Sequence, residues 1–246
     1  MNLLIDMGNS RLKWATTAGG HIITGSPLFN ARINRHELVD VWKGIRAPER
    51  IAVSCVTANR LLELVQSVAF ELWLDVDIIE VKSQAQACGV SNAYQQPEKL
   101  GVDRWLSLIA AWRQYHKPIC IADCGTAITV DLIDADGRHQ GGLISPGLTL
   151  MKKSLGQGTE ALVFSETDHA FPPCVPADCT EAAIYSGTLA AAVGLIEHIL
   201  AKQPVNTQLI LTGGDAELIA GQLDVATIVD PDLVLRGLSC VLEESI

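Results

Sequence analysis

Short apolar runs that end in aspartate and glycine set the pattern of this chain. Leu3-Leu4-Ile5 runs into Asp6-Met7-Gly8-Asn9-Ser10, after which Leu12, Trp14 and Thr16 alternate with polar or small neighbours. A short continuous apolar run reads as a buried strand and a period of two as a half-buried one, so the opening predicts strand, tight turn, strand. Residues 51–56, Ile-Ala-Val-Ser-Cys-Val, predict another buried strand. From Arg60 to Leu72 the apolar positions Leu61, Leu64, Val65, Val68, Ala69 and Leu72 form the stripe of a helix. Residues 76–81 predict a further strand. Strand, helix, strand in succession points to a right-handed crossover in an α/β sheet.

Residues 84–100 are polar and loop-like, with Pro97 inside them. A helix follows Gly101, with Trp105, Leu108, Ile109 and Trp112 on one face, and Pro118 stops it. The opening pattern then returns. Ile119-Cys120-Ile121-Ala122 runs into Asp123-Cys124-Gly125-Thr126, residues 127–133 form the next strand, and the turn Asp134-Ala135-Asp136-Gly137 leads to a third at 140–144. After Gly147 a helix runs to about Leu155, and Pro172, Pro173 and Pro176 predict an extended or looped stretch. Residues 180–202 predict a long helix, 209–212 a buried strand entering Gly213-Gly214, 216–223 a short helix, and 231–244 a closing helix with Pro231 near its first turn. The restart of the pattern predicts two α/β halves, residues 1–115 and 116–246, facing each other across a cleft.

The repeated unit is an apolar strand, Asp-x-Gly, a small polar residue and a second strand. Glycine in such a turn lets main-chain N–H groups approach a ligand closely. Asn9, Ser10, Thr126 and Thr129 add side-chain donors for phosphate oxygens. An aspartate at a strand end holds a cation, for Mg²⁺ usually through water. Two such loops clamp a triphosphate from both sides, which supplies the positioning and charge neutralisation that phosphoryl transfer needs. One Asp-Gly after a strand is ordinarily only a turn; two with matching flanks point to function. Gly213-Gly214, between a strand and a helix, offers bare backbone to an adenosine. The chain has no Gly-x-x-x-x-Gly-Lys-Ser/Thr loop, which disfavours a P-loop kinase.

Composition narrows the partners. Hydrophobic residues make up 48% of the chain, enough for a sizeable core. The net charge of -10 argues against nucleic acid or an anionic membrane as the main partner, yet does not forbid a nucleotide held by backbone N–H groups and metal ions. The N-terminus does not read as a signal peptide, and no uninterrupted apolar stretch approaches the ~20 residues of a membrane span. Seven scattered cysteines predict free thiols and a cytoplasmic setting. Cys120 and Cys124 have zinc-ligand spacing, but they lie in a buried-strand sequence with no second ligand pair. Cys174 and Cys179 with His169 read as part of a Pro-rich loop.

Four stretches carry a resemblance. They are Asp6-Met7-Gly8-Asn9-Ser10 with Lys13-Trp14, residues 94–104 (Tyr-Gln-Gln-Pro-Glu-Lys-Leu-Gly-Val-Asp-Arg), residues 123–131 (Asp-Cys-Gly-Thr-Ala-Ile-Thr-Val-Asp), and Gly141-Gly142-Leu143-Ile144-Ser145-Pro146-Gly147. The paired hairpins with the late Gly-Gly resemble the acetate and sugar kinase, Hsp70 and actin superfamily, and the four together resemble the type III pantothenate kinases. The resemblance implies a duplicated ribonuclease H-like fold, ATP and pantothenate as substrates, Mg²⁺, a requirement for K⁺ or NH₄⁺, and a homodimer. It implies that Asp6, Met7, Gly8, Asn9, Ser10, Arg11, Leu12 and Lys13 form the first phosphate loop and that Thr126 binds ATP in the second. It implies that Asp103 is the general base, that Asp123 holds the monovalent cation, and that Tyr94, Gly101, Val102, Asp103, Arg104 and Thr180 contact pantothenate. The family often has Asn before that threonine; here Cys179 precedes it.

The residues permit rival readings. A primary alcohol barely ionises near neutral pH, so a carboxylate must accept its proton during attack, which suits Asp103. A carboxylate there is also a good helix cap. Arg104 offers a planar fork for a carboxylate or phosphate, or a surface salt bridge. A non-catalytic regulatory protein of the same fold, or another kinase of the superfamily acting on a sugar or acetate, are the alternative functions. Retention of Asp6, Asp103 and Asp123 together argues against a dead site.

Overall fold

A computed structural model of the chain describes residues 1–57, 59–158 and 174–244. The expectations for Pro172, Pro173 and His169 lie outside the described residues. The opening hairpin is β1 (Asn2–Met7) and β2 (Arg11–Ala18), continued by β3 (His21–Thr24) and the short β4 (Leu28–Phe29). There follow α1 (Arg35–Trp42), β5 (Arg50–Cys55), α2 (Asn59–Leu72) and β6 (Asp77–Glu80). The side chain of Asn34 caps α1 by accepting from Glu37 N, a contribution of about 1 kcal/mol. The polar stretch expected to be a loop contains a small hairpin, β7 (Gln86–Ala87) and β8 (Val90–Ser91), before α3 (Val102–Tyr115).

The second half runs β9 (Ile119–Cys124), β10 (Ala127–Ile133), β11 (His139–Pro146), α4 (Leu148–Gly158), α5 (Thr180–Leu200), β12 (Gln208–Thr212), α6 (Ala216–Ala220), β13 (Thr227–Val229) and α7 (Leu233–Glu244). The first sheet is ordered β3-β2-β1-β5-β6 and the second β11-β10-β9-β12-β13. In each, the first three strands form an antiparallel meander, and the last two lie parallel to the first. The repeat legible in the sequence is therefore a repeat of topology, with one Asp-x-Gly turn at the end of each sheet's first strand.

Chain contacts divide the protein into two units, Met1–His116 with Asp232–Ile246, and Lys117–Pro231. The closing helix, grouped with the second half on sequence order, thus packs in the first unit. The reason is its apolar stripe. Val234, Leu235, Leu238 and Leu242 share one buried cluster with Leu4, Ala15 and Ala52 of the first sheet and with Val102 and Leu106 of α3. The opposite parity of the same strands, Leu3, Ile5, Met7, Ile51 and Val53, packs on α1 and α2 through Leu38, Trp42, Leu62 and Val65. Each large side chain buried this way contributes about 1.5–3 kcal/mol.

In the second unit Cys120, Ala122, Cys124, Leu209 and Leu211 pack on Tyr185, Leu189, Val193 and Ile196 of α5 and Ile219 of α6. On the other parity Asp131 and His139 form a buried pair, Nε2 to Oδ1, at 2.9 Å. Leaving one member buried without its hydrogen-bond partner costs about 1–3 kcal/mol or more. No uninterrupted apolar run is needed for α5 to be long and apolar enough to cross a membrane by length and composition: it reaches a mean hydropathy of 1.4 over one stretch although Glu181, Glu197 and His198 interrupt the helix. All seven cysteines are free thiols.

Candidate functional site

The first loop follows β1. Strand alternation puts Asp6 on the same face as Leu4, and it is buried at 7% exposure. Lys13 of β2 and Ser54 of β5 are its register partners. The Ser54 Oγ is fully buried and has no hydrogen-bond partner among the described residues. Gly8 N–H donates to Arg11 O at 3.1 Å and closes the turn. Asn9, Ser10 and Arg11 are exposed, whereas Met7 and Leu12 are core residues. Those two side chains are spoken for by packing, so they offer a ligand only main chain.

The second loop, after β9, repeats this closure with Gly125 N–H donating to Ala127 O at 3.0 Å. Thr126 is exposed. Asp123 has Thr129 of β10 and Thr212 of β12 as its register partners. Two later glycines press against the loop. Gly147 N–H donates to Thr126 O at 3.0 Å, and a Cβ at 147 would stand 2.7 Å from that oxygen. Gly213 adopts φ +95°, where a Cβ would lie 2.6 Å from the Asp123 carboxylate. Asp215 N–H donates to Cys124 O at 2.9 Å. The sequence motifs around 125, 147 and 213 are thus one local assembly. Burial, then the neighbouring Asp123 and Asp215 charges, push the Cys124 thiol up to about 12, so it is an inert core group.

The third group is Tyr94 with the start of α3. Asn92 organises the preceding loop: its amide donates to Gln84 O at 3.1 Å and Pro97 O at 3.3 Å, and its Oδ1 accepts from Tyr94 N at 3.0 Å. The Arg104 guanidinium donates to Tyr94 Oη at 2.9 Å and lies 5.7 Å from the ring centroid. Arg104 is only 6% exposed, which removes the surface salt-bridge reading. Gly101, not Asp103, is the N-cap of α3. Asp103 is the second residue of the helix, and its Oδ1 accepts from Arg104 N at 2.8 Å. Its charge therefore sits where the helix dipole favours an anion. Val102 is buried in the core.

The first loop, Tyr94 and residues 101–104 belong to the first unit, while the second loop and Thr180 belong to the second. Thr180 is the exposed first residue of α5. It lines a groove of about 590 Å³ with Ala183, Gly187 and Ala191 of α5 and Met151 and Leu155 of α4. Among the described residues no group of three or more His, Cys, Asp or Glu side chains could hold a metal ion alone. One residue with no sequence motif stands out: the Asn30 amide donates to both Gly8 O and Asn9 O.

Residues 2–202 match the family model described as type III pantothenate kinase. The chain is 37% identical to a type III pantothenate kinase of Nitrosococcus oceani, covering 100% of this chain and 95% of that one. It is 38% identical to that of Halorhodospira halophila, covering 97% and 96%. Among solved structures it resembles a Campylobacter jejuni protein assigned to the Baf family of transcriptional activators (TM-score 0.60, 23% identity, 99% and 98% covered). It also resembles component A of the (R)-2-hydroxyglutaryl-CoA dehydratase of Acidaminococcus fermentans (TM-score 0.55, 12% identity, 99% and 96% covered). At those identities the likeness concerns the fold, which is that of the actin-like ATPases and sugar kinases.

Proposed function

The chain belongs to the type III pantothenate kinases, and on that premise we propose how its residues divide the work of phosphorylating pantothenate. The enzyme transfers a phosphoryl group from ATP to pantothenate in coenzyme A biosynthesis. The observation that carries the residue-level reading is the buried Arg104 held against Tyr94, one position after Asp103 at a helix N-terminus. A planar guanidinium recognises a carboxylate in two parallel bonds, and pantothenate carries a carboxylate. Asp103 accepts the proton of the substrate's primary hydroxyl as the oxygen attacks phosphorus. Gly101 and the main chain of Val102 are the further pantothenate contacts beside Arg104 in the first unit, and Thr180 is the contact assigned to the second unit.

Asp6, Gly8, Asn9, Ser10, Arg11 and Lys13, with the main chain of Met7 and Leu12, form one phosphate loop, and Thr126 serves the other. Such loops position the triphosphate and offset its charge. Mg²⁺ is usually bound through one or two carboxylates with water and phosphate oxygens rather than in a protein cage. The Asp6 carboxylate, near the end of β1 and beside the first loop, fits that mode. Bound with ATP, the ion would supply positive charge to offset the negative charge developing on the transferring group. Asp123, between Thr129 and Thr212, takes the monovalent cation, K⁺ or NH₄⁺. The exposed small residues of α5, Ala183, Gly187, Ala190 and Ala191, support a homodimer through that helix. The seven free thiols support a cytoplasmic enzyme.

Coupled measurement of ADP release across pantothenate, sugars and acetate, each with and without K⁺, tests this reading. Turnover is expected only with pantothenate and K⁺ or NH₄⁺. Equal release with a sugar would overturn the substrate assignment, and equal rates in Na⁺ alone would overturn the cation assignment.

A further inference from the structure

We propose that Asn30 is a positioning residue for nucleotide binding: its side chain sets the direction in which the main-chain N–H groups of the first phosphate loop point. The proposal rests on that loop receiving the phosphates of ATP, and it adds a residue that carries no motif of its own.

Asn30 follows β4, whose Leu28 and Phe29 pair with Leu12 and Arg11 of β2. That pairing, together with the Arg11 guanidinium 5.1 Å from the Phe29 ring centroid, fixes Asn30 beside the turn. From there it engages three successive carbonyls. The Asn30 amide donates to Gly8 O at 2.7 Å and to Asn9 O at 3.0 Å, and the Asn30 main-chain N–H donates to Ser10 O at 3.0 Å. Both side-chain bonds end on carbonyl oxygens, which only accept, so the orientation of the amide is settled: nitrogen to the loop, oxygen away from it. The Oδ1 so displaced is buried and has no hydrogen-bond partner among the described residues. Burying an unmade acceptor is unfavourable, so the amide is retained here for its donor.

The consequence is geometric. Among the described residues no peptide bond is cis, those of the first loop included. In a trans peptide the C=O and the following N–H point in opposite directions. Drawing the carbonyls of Gly8 and Asn9 toward Asn30 therefore turns the N–H groups of Asn9 and Ser10 toward the opposite face. Successive N–H groups presented together bind anions strongly because nothing reorganises when the charge arrives. Without the Asn30 donor, those carbonyls are free to rotate with their peptide planes and the N–H groups lose their common direction. Gly8, which lacks a side chain, is the part of the loop least able to resist this.

The test compares wild type and Asn30→Ala by steady-state kinetics and by calorimetric titration with Mg-ADP. A loop that loses its preset direction is expected to raise the ATP KM and the ADP Kd together by roughly tenfold or more, with the pantothenate KM within about twofold and the melting temperature nearly unchanged. Asn30→Asp keeps the size but faces two carbonyls with an acceptor, and is expected to bind nucleotide more weakly than Asn30→Ala. Asn30→Ser keeps one short donor and is expected to fall between wild type and Asn30→Ala. Should Asn30→Ala fail to fold, the comparison of Asn30→Ser with wild type carries the test. Nucleotide affinity unchanged within twofold in a folded variant overturns the proposal, as does an equal rise in the ATP and pantothenate constants. Wild type that binds no nucleotide would instead overturn the assignment of the loop.

Discussion

Cys88 and Glu244 meet at the end of the closing helix, where the Cys88 N–H and thiol both donate to Glu244 Oε2, at 2.8 and 3.1 Å. Cys88 sits at the tip of the β7–β8 hairpin with φ +52°, and that hairpin precedes the loop bearing Tyr94. The two bonds from Cys88, side chain before main chain, hold the Glu244 carboxyl below its ordinary 4.5. Burial, then the Glu244 bond, pushes the Cys88 thiol up to about 12.

The acid dependence of this tether follows from the depressed carboxyl. Its contribution is present at pH values above 4.5 and is lost as pH falls below 4.5 through the folded-state value. Residues 84–92 are expected to exchange amide hydrogens faster at low pH than at neutral pH, after correction for intrinsic rates, and Glu244→Gln is expected to remove most of that difference. An unchanged difference in Glu244→Gln rules the tether out as its source. In the same protein at mildly alkaline pH, iodoacetamide is expected to label the exposed Cys179 and spare Cys88, Cys120 and Cys124.

Gly213 is expected to tolerate no side chain. Its φ of +95° already disfavours alanine, and a Cβ would meet the Asp123 carboxylate at 2.6 Å. Gly213→Ala is therefore expected to destabilise the protein by about 1–3 kcal/mol, read from the denaturant midpoint, and to weaken nucleotide binding as well. Wild-type stability would show that the approach of this turn to the second loop is looser than the packing requires.

Asp103→Asn separates chemistry from helix stability. The Arg104 N–H needs only an oxygen acceptor, which asparagine keeps, so the melting temperature is expected to hold. Turnover at saturating ATP and pantothenate is expected to fall by roughly 10²–10⁴-fold, the scale of a positioned general base. Near-wild-type turnover would reduce Asp103 to a structural residue of the first turn.

Much of this was legible along the chain. Both Asp-x-Gly turns, the helix after Gly101 and the strand entering Gly213-Gly214 lie where the apolar pattern predicts them, because each is encoded within a few residues. The α1 helix, the short strands β4, β7 and β8, and the edge strand β13 carry no such signal. Two or three residues of strand have no measurable period, and they form because a longer neighbour offers hydrogen bonds.

The sequence by itself determined the duplicated architecture, the residue types at the two Asp-x-Gly turns and the family. Those features are local in the chain or are shared in order with relatives. Only the tertiary structure decided that the closing helix packs with the first unit, that Arg104 is buried against Tyr94, and that Asn30 grips the first loop. Each of these depends on which face of a sheet or turn a distant segment covers. An apolar stripe or a lone amide specifies that something must be covered or bonded, and only the folded chain supplies the partner.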